Sequence, residues 1–257
     1  MKYFLSILTS CLISILFCVV AFDKFEIKNN KIVLKEKTKI YKPEIIYFDY
    51  DNTIEDNSKW QDDFNYAVRQ NLNEQQLQEL NKVKLDADKW VFIRKNFTKE
   101  IIDKIEVDNN EAKLKHHYVP VVGSREFLET SNLYDIDTYV VSQRWDKALN
   151  QLVDRADLNK YFKKKYGTGT FEGLQKPQPE FAEAILKDVK GKGKKCWMIG
   201  DARSDVKTAL QLGCIAFIIS NDEKKEIIET YGSLIGKKVF FVSYNSLSYL
   251  LSNLVLV

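Results

Sequence analysis

Short apolar runs of strand length recur along this chain, each breaking off at a polar residue, and they constrain its fold more than any other feature. Ile45–Phe48, Tyr139–Val141, Trp197–Ile199 and Ile215–Ile219 are of this kind, and Val239–Val242 reads as a closing strand. Between them lie segments of helical period, Ala148–Leu158, Glu180–Leu186 and Asp205–Leu212, the last stopped by Gly213. Parallel neighbours need a crossover, and a helix supplies it, so the alternation predicts an α/β fold: a parallel sheet with helices on both faces. Residues 55–118 break the pattern. They hold no convincing strand, but a long helical spacing runs through Leu77, Leu80, Val83, Ala87, Trp90 and Val91, with a second helix near Thr98–Ile105. This stretch reads as a helical insertion, and Leu247–Leu254 as a last packing helix. A length of 257 residues suits one such unit with a small inserted module.

The amino terminus is of a different character. No charged residue occurs from Tyr3 to Phe22, and Lys2 precedes the run. Such a segment is a secretory signal, cleaved after the small residues Val19 and Ala21, or a retained membrane anchor; a buried first helix is the third reading. Export to a periplasmic or extracellular space, or membrane attachment through residues 3–22, is therefore expected. The division that follows is 1–21 as signal or anchor, 22–42 as a lysine-rich lead-in, 43–54 with 119–257 as the core, and 55–118 as the insertion. The 39 basic and 36 acidic residues nearly cancel, so no nucleic-acid partner is expected. Four Cys and two His show no zinc-ligand spacing, which leaves oxygen to bind any catalytic metal. Cys196 and Cys214 read as small buried thiols, although both precede neighbouring strands and their pairing stays open. His116 and His117 read as surface or boundary residues, and Trp90, Val91 and Phe92 as packing within the insertion.

The chemistry collects where strands end. Asp49-Tyr50-Asp51-Asn52-Thr53 follows the first strand directly, and ligands of open α/β sheets bind at the carboxyl ends of strands. Two carboxylates two positions apart can divide labour: one attacks an electrophile, and the other, pushed toward protonation by its like-charged neighbour, donates to a leaving group. Tyr139–Val141 stops at Ser142, and Trp197–Ile199 stops at Gly200-Asp201, with Asp205 following. Asp205 also suits a helix N-terminus on its own account. Asp49, Asp201 and Asp205 together would repel one another, and would repel a phosphate dianion, unless a hard dication such as Mg²⁺ sat among them. Lys176, in Lys176-Pro177-Gln178-Pro179, adds a fixed positive charge on backbone that its following proline biases toward extended, and Pro179 suits the first turn of a helix.

In their order, Asp49-Tyr50-Asp51-Asn52-Thr53, Ser142, Lys176 and Gly200-Asp201…Asp205 resemble the four motifs of the haloacid-dehalogenase superfamily, over residues 43–245. The Lys176–Pro179 stretch is similar to that of its phosphoglycolate-phosphatase-like branch. The resemblance implies a Rossmann-like parallel sheet with a helical cap inserted after the first motif. It implies Asp49 as a nucleophile that becomes an aspartyl-phosphate and Asp51 as general acid and then base. Thr53, Ser142 and Lys176 would hold the phosphoryl oxygens, and Mg²⁺ would lie among Asp49, the carbonyl of Asp51, Asp201 and Asp205. Dehalogenases of the family lack a carboxylate at the place of Asp51, since a halide needs no proton, so Asp51 favours phosphoryl chemistry. The expected activity is hydrolysis of a small phosphomonoester. A phosphomutase is the nearest alternative, and a membrane-attached scaffold without catalysis the more distant one. Gln143 stands where the family often has Asn, and oligomeric state is not legible.

Overall fold

A computed structural model of the chain describes residues 25–28, 31–34, 40–83, 86–220 and 224–254, so the apolar run at Tyr3–Phe22 and its reading as signal or anchor lie outside the described residues. Among the described residues no helix is long and apolar enough to cross a membrane. Strands β1 (Phe25–Lys28) and β2 (Lys31–Leu34), within the stretch read as a lysine-rich lead-in, pair antiparallel as a separate small sheet.

Among the described residues, the remaining strands form one parallel sheet. They are β3 (Ile45–Phe48), β4 (Asp137–Trp145), β5 (Lys164–Thr168), β6 (Cys196–Gly200), β7 (Ile215–Ile219) and β8 (Val239–Val242), in the order β5-β4-β3-β6-β7-β8. All of β3 and β6 is buried, the expected state of a parallel sheet covered on both faces, which is why their sequences are unbroken apolar runs. Strand β4 runs on to Trp145 instead of stopping before Ser142. Its register with β5 is irregular between Val141 and Trp145, and that irregularity carries Ser142.

Between β3 and β4 the chain forms α1 (Trp60–Asn71), α2 (Glu74–Asn81), α3 (Asp86–Asn96) and α4 (Lys99–Leu114). The single helical pattern read through 77–91 is thus two helices. The first opens with a reciprocal cap in which Asn73 and Gln76 satisfy each other's backbone N–H groups. These four helices bury their own cluster, with Phe64, Ala67, Val68, Leu80, Ile93 and Ile105 at its centre. The two passages between this unit and the sheet lie side by side. Asp56 N–H donates to the Val119 carbonyl at 2.8 Å, and Glu55 bridges Pro120. Arg155 donates to the carbonyls of Lys113 (2.8 Å) and His116 (2.9 Å) and pairs with Glu55.

Alternate residues of each strand feed opposite faces of the sheet. Ile46, Phe48, Val140 and Trp197 pack against α5 (Ser124–Leu133), α6 (Asp146–Arg155) and α10 (Leu247–Leu254) through Phe127, Leu149, Leu152 and Leu250. Ile45, Tyr47, Val141 and Met198 pack against α7 (Pro179–Asp188), α8 (Arg203–Leu212) and α9 (Lys225–Tyr231) through Phe181, Val206, Ala209 and Ile227. Pro179 sits in the first turn of α7, and Gly213 closes α8 at φ 75°, both as the sequence predicts.

Cys196 and Cys214, read as small buried thiols with their pairing left open, are joined by a disulfide. The β6–β7 register sets Trp197 opposite Ile215, so the residues just before them lie side by side, with Cα atoms 4.7 Å apart. The bond closes an 18-residue separation, for which the loss of chain entropy in the unfolded state is worth about 3 kcal/mol. Replacing both residues by Ala is expected to lower the unfolding free energy by about that amount in non-reducing urea titrations. Addition of dithiothreitol should move the parent protein to the variant's curve and leave the variant where it was. Identical curves for the two proteins would show that the bond contributes nothing.

Candidate active site

The sheet order reverses beside β3. The chain adds β4 and β5 on one side and then crosses back to add β6, β7 and β8 on the other. Phe48 is level with Val140 of β4 and Ile199 of β6, so the carboxyl ends of three strands open at one place, the position at which open α/β sheets take ligands.

Asp49 leaves β3 with its N–H donating to the Ile199 carbonyl at 2.8 Å. Lys176 comes from the loop before α7 and is 2% exposed. Its Nζ donates to Asp49 Oδ1 at 2.7 Å, Asp205 Oδ1 at 2.6 Å and the Val141 carbonyl at 3.1 Å, which uses all three of its protons. Asp205 lies in the first turn of α8, where its Oδ2 accepts from the N–H groups of Asp201 (3.0 Å) and Ala202 (2.8 Å). It thus holds its helix terminus and the lysine together. That approach needs glycine at position 200, since a Cβ there would stand 2.3 Å from Asp205 Cγ. Asp201 is held by Lys224, which donates to its carbonyl and, at 3.2 Å, to its Oδ2. Lys224 was not read from the sequence, although it follows the carboxyl end of β7 and the strand-end rule points there.

One carboxylate oxygen from each of Asp49, Asp201 and Asp205 lies within 4.8 Å of the others. Burial pushes the Asp49 carboxyl well above the ordinary range, with Lys176 opposing and the charges of Asp205, Asp201 and Asp51 adding to the rise. Asp201 is raised by burial and then by Asp205. Burial works against the Lys176 charge, but Asp205 and Asp49 outweigh it and hold the ammonium above its ordinary value. Two ammonium groups therefore face three carboxylates, and charge of one sign is left over. An all-oxygen donor set with surplus negative charge fits a hard dication of the Mg²⁺ kind.

Asp51 does not join this cluster. Arg144 donates to both its oxygens, from Nε to Oδ2 and from Nη2 to Oδ1, each at 2.7 Å, and Lys113 Nζ donates to Oδ1 at 3.0 Å. The sequence reading, in which Asp49 pushes Asp51 toward protonation, is corrected. Burial does act in that direction, but Arg144 and Lys113 outweigh it and hold the carboxyl well below its usual range. These cations lie 93 and 62 positions away in the chain, where no local spacing reveals them. Lys113 is buried in the last turn of α4 and also reaches Asn57 Oδ1 at 2.7 Å, so the helical insertion is fastened directly to the motif that holds Asp51.

Of the other expected residues, Ser142 is buried at the cleft wall, with its Oγ accepting from the Arg144 N–H at 3.2 Å. Gln143 Nε2 donates to the Lys176 carbonyl at 3.1 Å. Thr53, expected at the phosphoryl oxygens, does not line the cleft: beyond Asn52, left-handed at φ 54°, it is fully buried and its Oγ1 has no partner. His116 is a boundary residue as expected, with Nε2 2.7 Å from Asp63 Oδ1. Trp90 does pack on Phe64, but it lines the cleft as well, and the Val91 side chain lies outside the described residues. The cleft has a volume of about 860 Å³ and takes in Asp49, Asp51, Ser142, Lys176 and Asp201.

A family model described as haloacid dehalogenase-like hydrolase matches residues 46–219. No curated protein matches the chain. Among solved structures, the chain is similar to a protein from Thermotoga maritima provisionally named a beta-phosphoglucomutase, with TM-score 0.59 and 16% identity over 81% of this chain and 98% of that one. CbbY from Rhodobacter sphaeroides, solved in complex with phosphate, gives TM-score 0.60 and 12% identity over 79% and 96%. YfnB from Bacillus subtilis, solved bound to magnesium, gives TM-score 0.57 and 18% identity over 83% and 99%. At these identities the likeness is one of fold.

Proposed function

We propose that this chain, which belongs to the haloacid dehalogenase-like hydrolase family, is a Mg²⁺-dependent phosphatase that hydrolyses a small phosphomonoester through an aspartyl-phosphate on Asp49. The observation that carries this reading is Lys176 buried between Asp49 and Asp205, with Asp201 beside them, at the point where the strand order reverses.

The residues divide the work as follows from their contacts. Lys176 orients Asp49 by its Oδ1, so the other carboxylate oxygen makes the bond to phosphorus while the ester P–O bond breaks. The departing alkoxide takes a proton from Asp51, and the same carboxylate then accepts one from the water that attacks phosphorus, cleaves the bond to Asp49 and frees inorganic phosphate. Ser142, and Arg144 once turned from Asp51, offer donors to the phosphoryl oxygens, and Lys176, whose protons are already taken, adds positive charge beside them. Asp51 is poised as the base of the second step. To serve as the acid of the first it must lose part of its clamp, and both an anionic substrate competing for Arg144 and a displacement of α4 that withdraws Lys113 act in that direction. Bound Mg²⁺, held by Asp49, Asp201, Asp205 and the Asp51 carbonyl, would supply Lewis-acid neutralisation of the carboxylates and the phosphoryl group. The four inserted helices serve as a cap that excludes water from the cleft.

The disulfide between Cys196 and Cys214 supports an oxidising compartment, and with the charge-free run at Tyr3–Phe22 it favours export or anchoring outside the cytoplasm. Purified protein is expected to release p-nitrophenol and inorganic phosphate from p-nitrophenyl phosphate with Mg²⁺ present, and to lose at least about a hundredfold in rate with EDTA, the scale of a Lewis acid worth several kcal/mol. Equal rates with and without chelator would remove the metal from the reading. Transfer to a sugar hydroxyl without stoichiometric phosphate release would replace the phosphatase by a phosphomutase.

A further inference from the structure

The cleft is much larger than a phosphoryl group needs. At about 860 Å³ it falls in the range of sites that enclose whole organic ligands, so most of it serves the leaving group. Three of the chain's four tryptophans line it, Trp60 and Trp90 from the insertion and Trp145 from the end of β4. Trp60 stacks on Phe64 with centroids 5.0 Å apart, and Phe64 meets Trp90 edge-on at 5.5 Å, so the two tryptophans are braced by one buried ring behind the cleft. The Arg94 guanidinium lies 5.6 Å from the Trp90 ring and is steadied by Gln175 at 3.0 Å.

Beside these rings two polar groups are left unmet. Asn109 and Asn110, in α4, are 7% and 6% exposed and line the same cleft, and the Oδ1 of each has no hydrogen-bond partner. Asn110 Nδ2 donates to Gln151 Oε1 at 2.7 Å, which fixes that amide and leaves its oxygen as an acceptor. Buried acceptors are almost always satisfied, so a pair of unmet ones on residues that line a cleft points to a donor that the ligand brings. Flat aromatic faces select a flat partner by stacking, and acceptors beside them read N–H groups on its edge.

We propose that the leaving group carries a planar heteroaromatic ring with N–H donors on its edge, so that the substrate is of the nucleoside-monophosphate class. This deepens the phosphatase reading and rests on it for turnover, but not for binding. The test compares AMP with ribose 5-phosphate, which keeps the phosphoryl and sugar parts and lacks the ring. With Mg²⁺, kcat/KM for AMP is expected to exceed that for ribose 5-phosphate by at least tenfold, and Trp90→Leu and Asn109→Leu should each lower that ratio by about fivefold to tenfold. Since Trp90→Leu also touches the packing of Phe64, binding is measured separately, by calorimetry on Asp49→Asn protein, where AMP should bind at least tenfold tighter than ribose 5-phosphate. Equal turnover and equal binding of the two ligands would overturn the proposal. If AMP bound tightly but neither it nor p-nitrophenyl phosphate were hydrolysed by the parent protein, the phosphatase reading would fall and the ring site would stand.

Discussion

Asp49→Asn is expected to reduce phosphate release by on the order of 10⁴-fold in kcat, the scale seen when a covalent nucleophile is removed. The substitution removes electrons and not shape. An amide keeps an oxygen to accept from Lys176, where Asp49 Oδ1 now sits at 2.7 Å, so the side chain should stay in place. What it lacks is the second anionic oxygen needed to bond to phosphorus. Folding should be spared, because burial and the neighbouring acids already disfavour the charge on Asp49, and removing one of three crowded carboxylates relieves that repulsion. Single-turnover phosphate release alongside a urea unfolding curve separates the two effects. More than about one part in a hundred of parent activity would exclude Asp49 as the group that takes the phosphoryl, on the same scale.

Lys176→Met should be costly in both respects. The lysine is enclosed and fully hydrogen-bonded, and without it Asp49 and Asp205, both buried, would face each other with no counter-charge between them. Breaking a buried ion pair by removing one partner destabilises by roughly 3–5 kcal/mol, and that is the expected drop in unfolding free energy. Activity should fall by about 10²–10³-fold from the loss of a preorganised positive charge beside the phosphoryl oxygens. Mg²⁺ should restore part of the stability of this variant, since a dication among the same carboxylates can replace the missing ammonium. Lys176→Arg is not expected to rescue, because a planar fork does not fill a site shaped for a point charge with three donors. A variant within about 1 kcal/mol of the parent would mean that the two aspartates are not both ionised in the folded protein, since an unpaired buried carboxylate costs more than that.

The parts of the fold that could be read in advance are those whose burial is total. β3 and β6 are enclosed on both faces, so their residues are apolar without interruption and stand out from the sequence. β5, at the sheet edge, reads Lys-Lys-Tyr-Gly-Thr and carries no such mark. Asp49, Ser142, Lys176 and Asp201 were legible because the rule that strand ends carry ligands is local. Arg144 and Lys113 were not, because their meaning lies in contacts that only the folded chain makes, and they reverse the expected charge state of Asp51. Asn109 and Asn110 are ordinary helix residues in sequence, and only the missing partners of their oxygens set them apart.

The paired passages between sheet and insertion carry a mechanical consequence. Asp56 is bonded to Val119, Glu55 bridges Pro120, and Arg155 grips the returning segment at Lys113 and His116. The two connections are laced into a single stalk. Were the four helices to rock over the cleft, they would turn on that stalk as a lever turns on one fulcrum, and Lys113, whose carbonyl Arg155 grips there, would shift its ammonium against Asp51 as the lever swung.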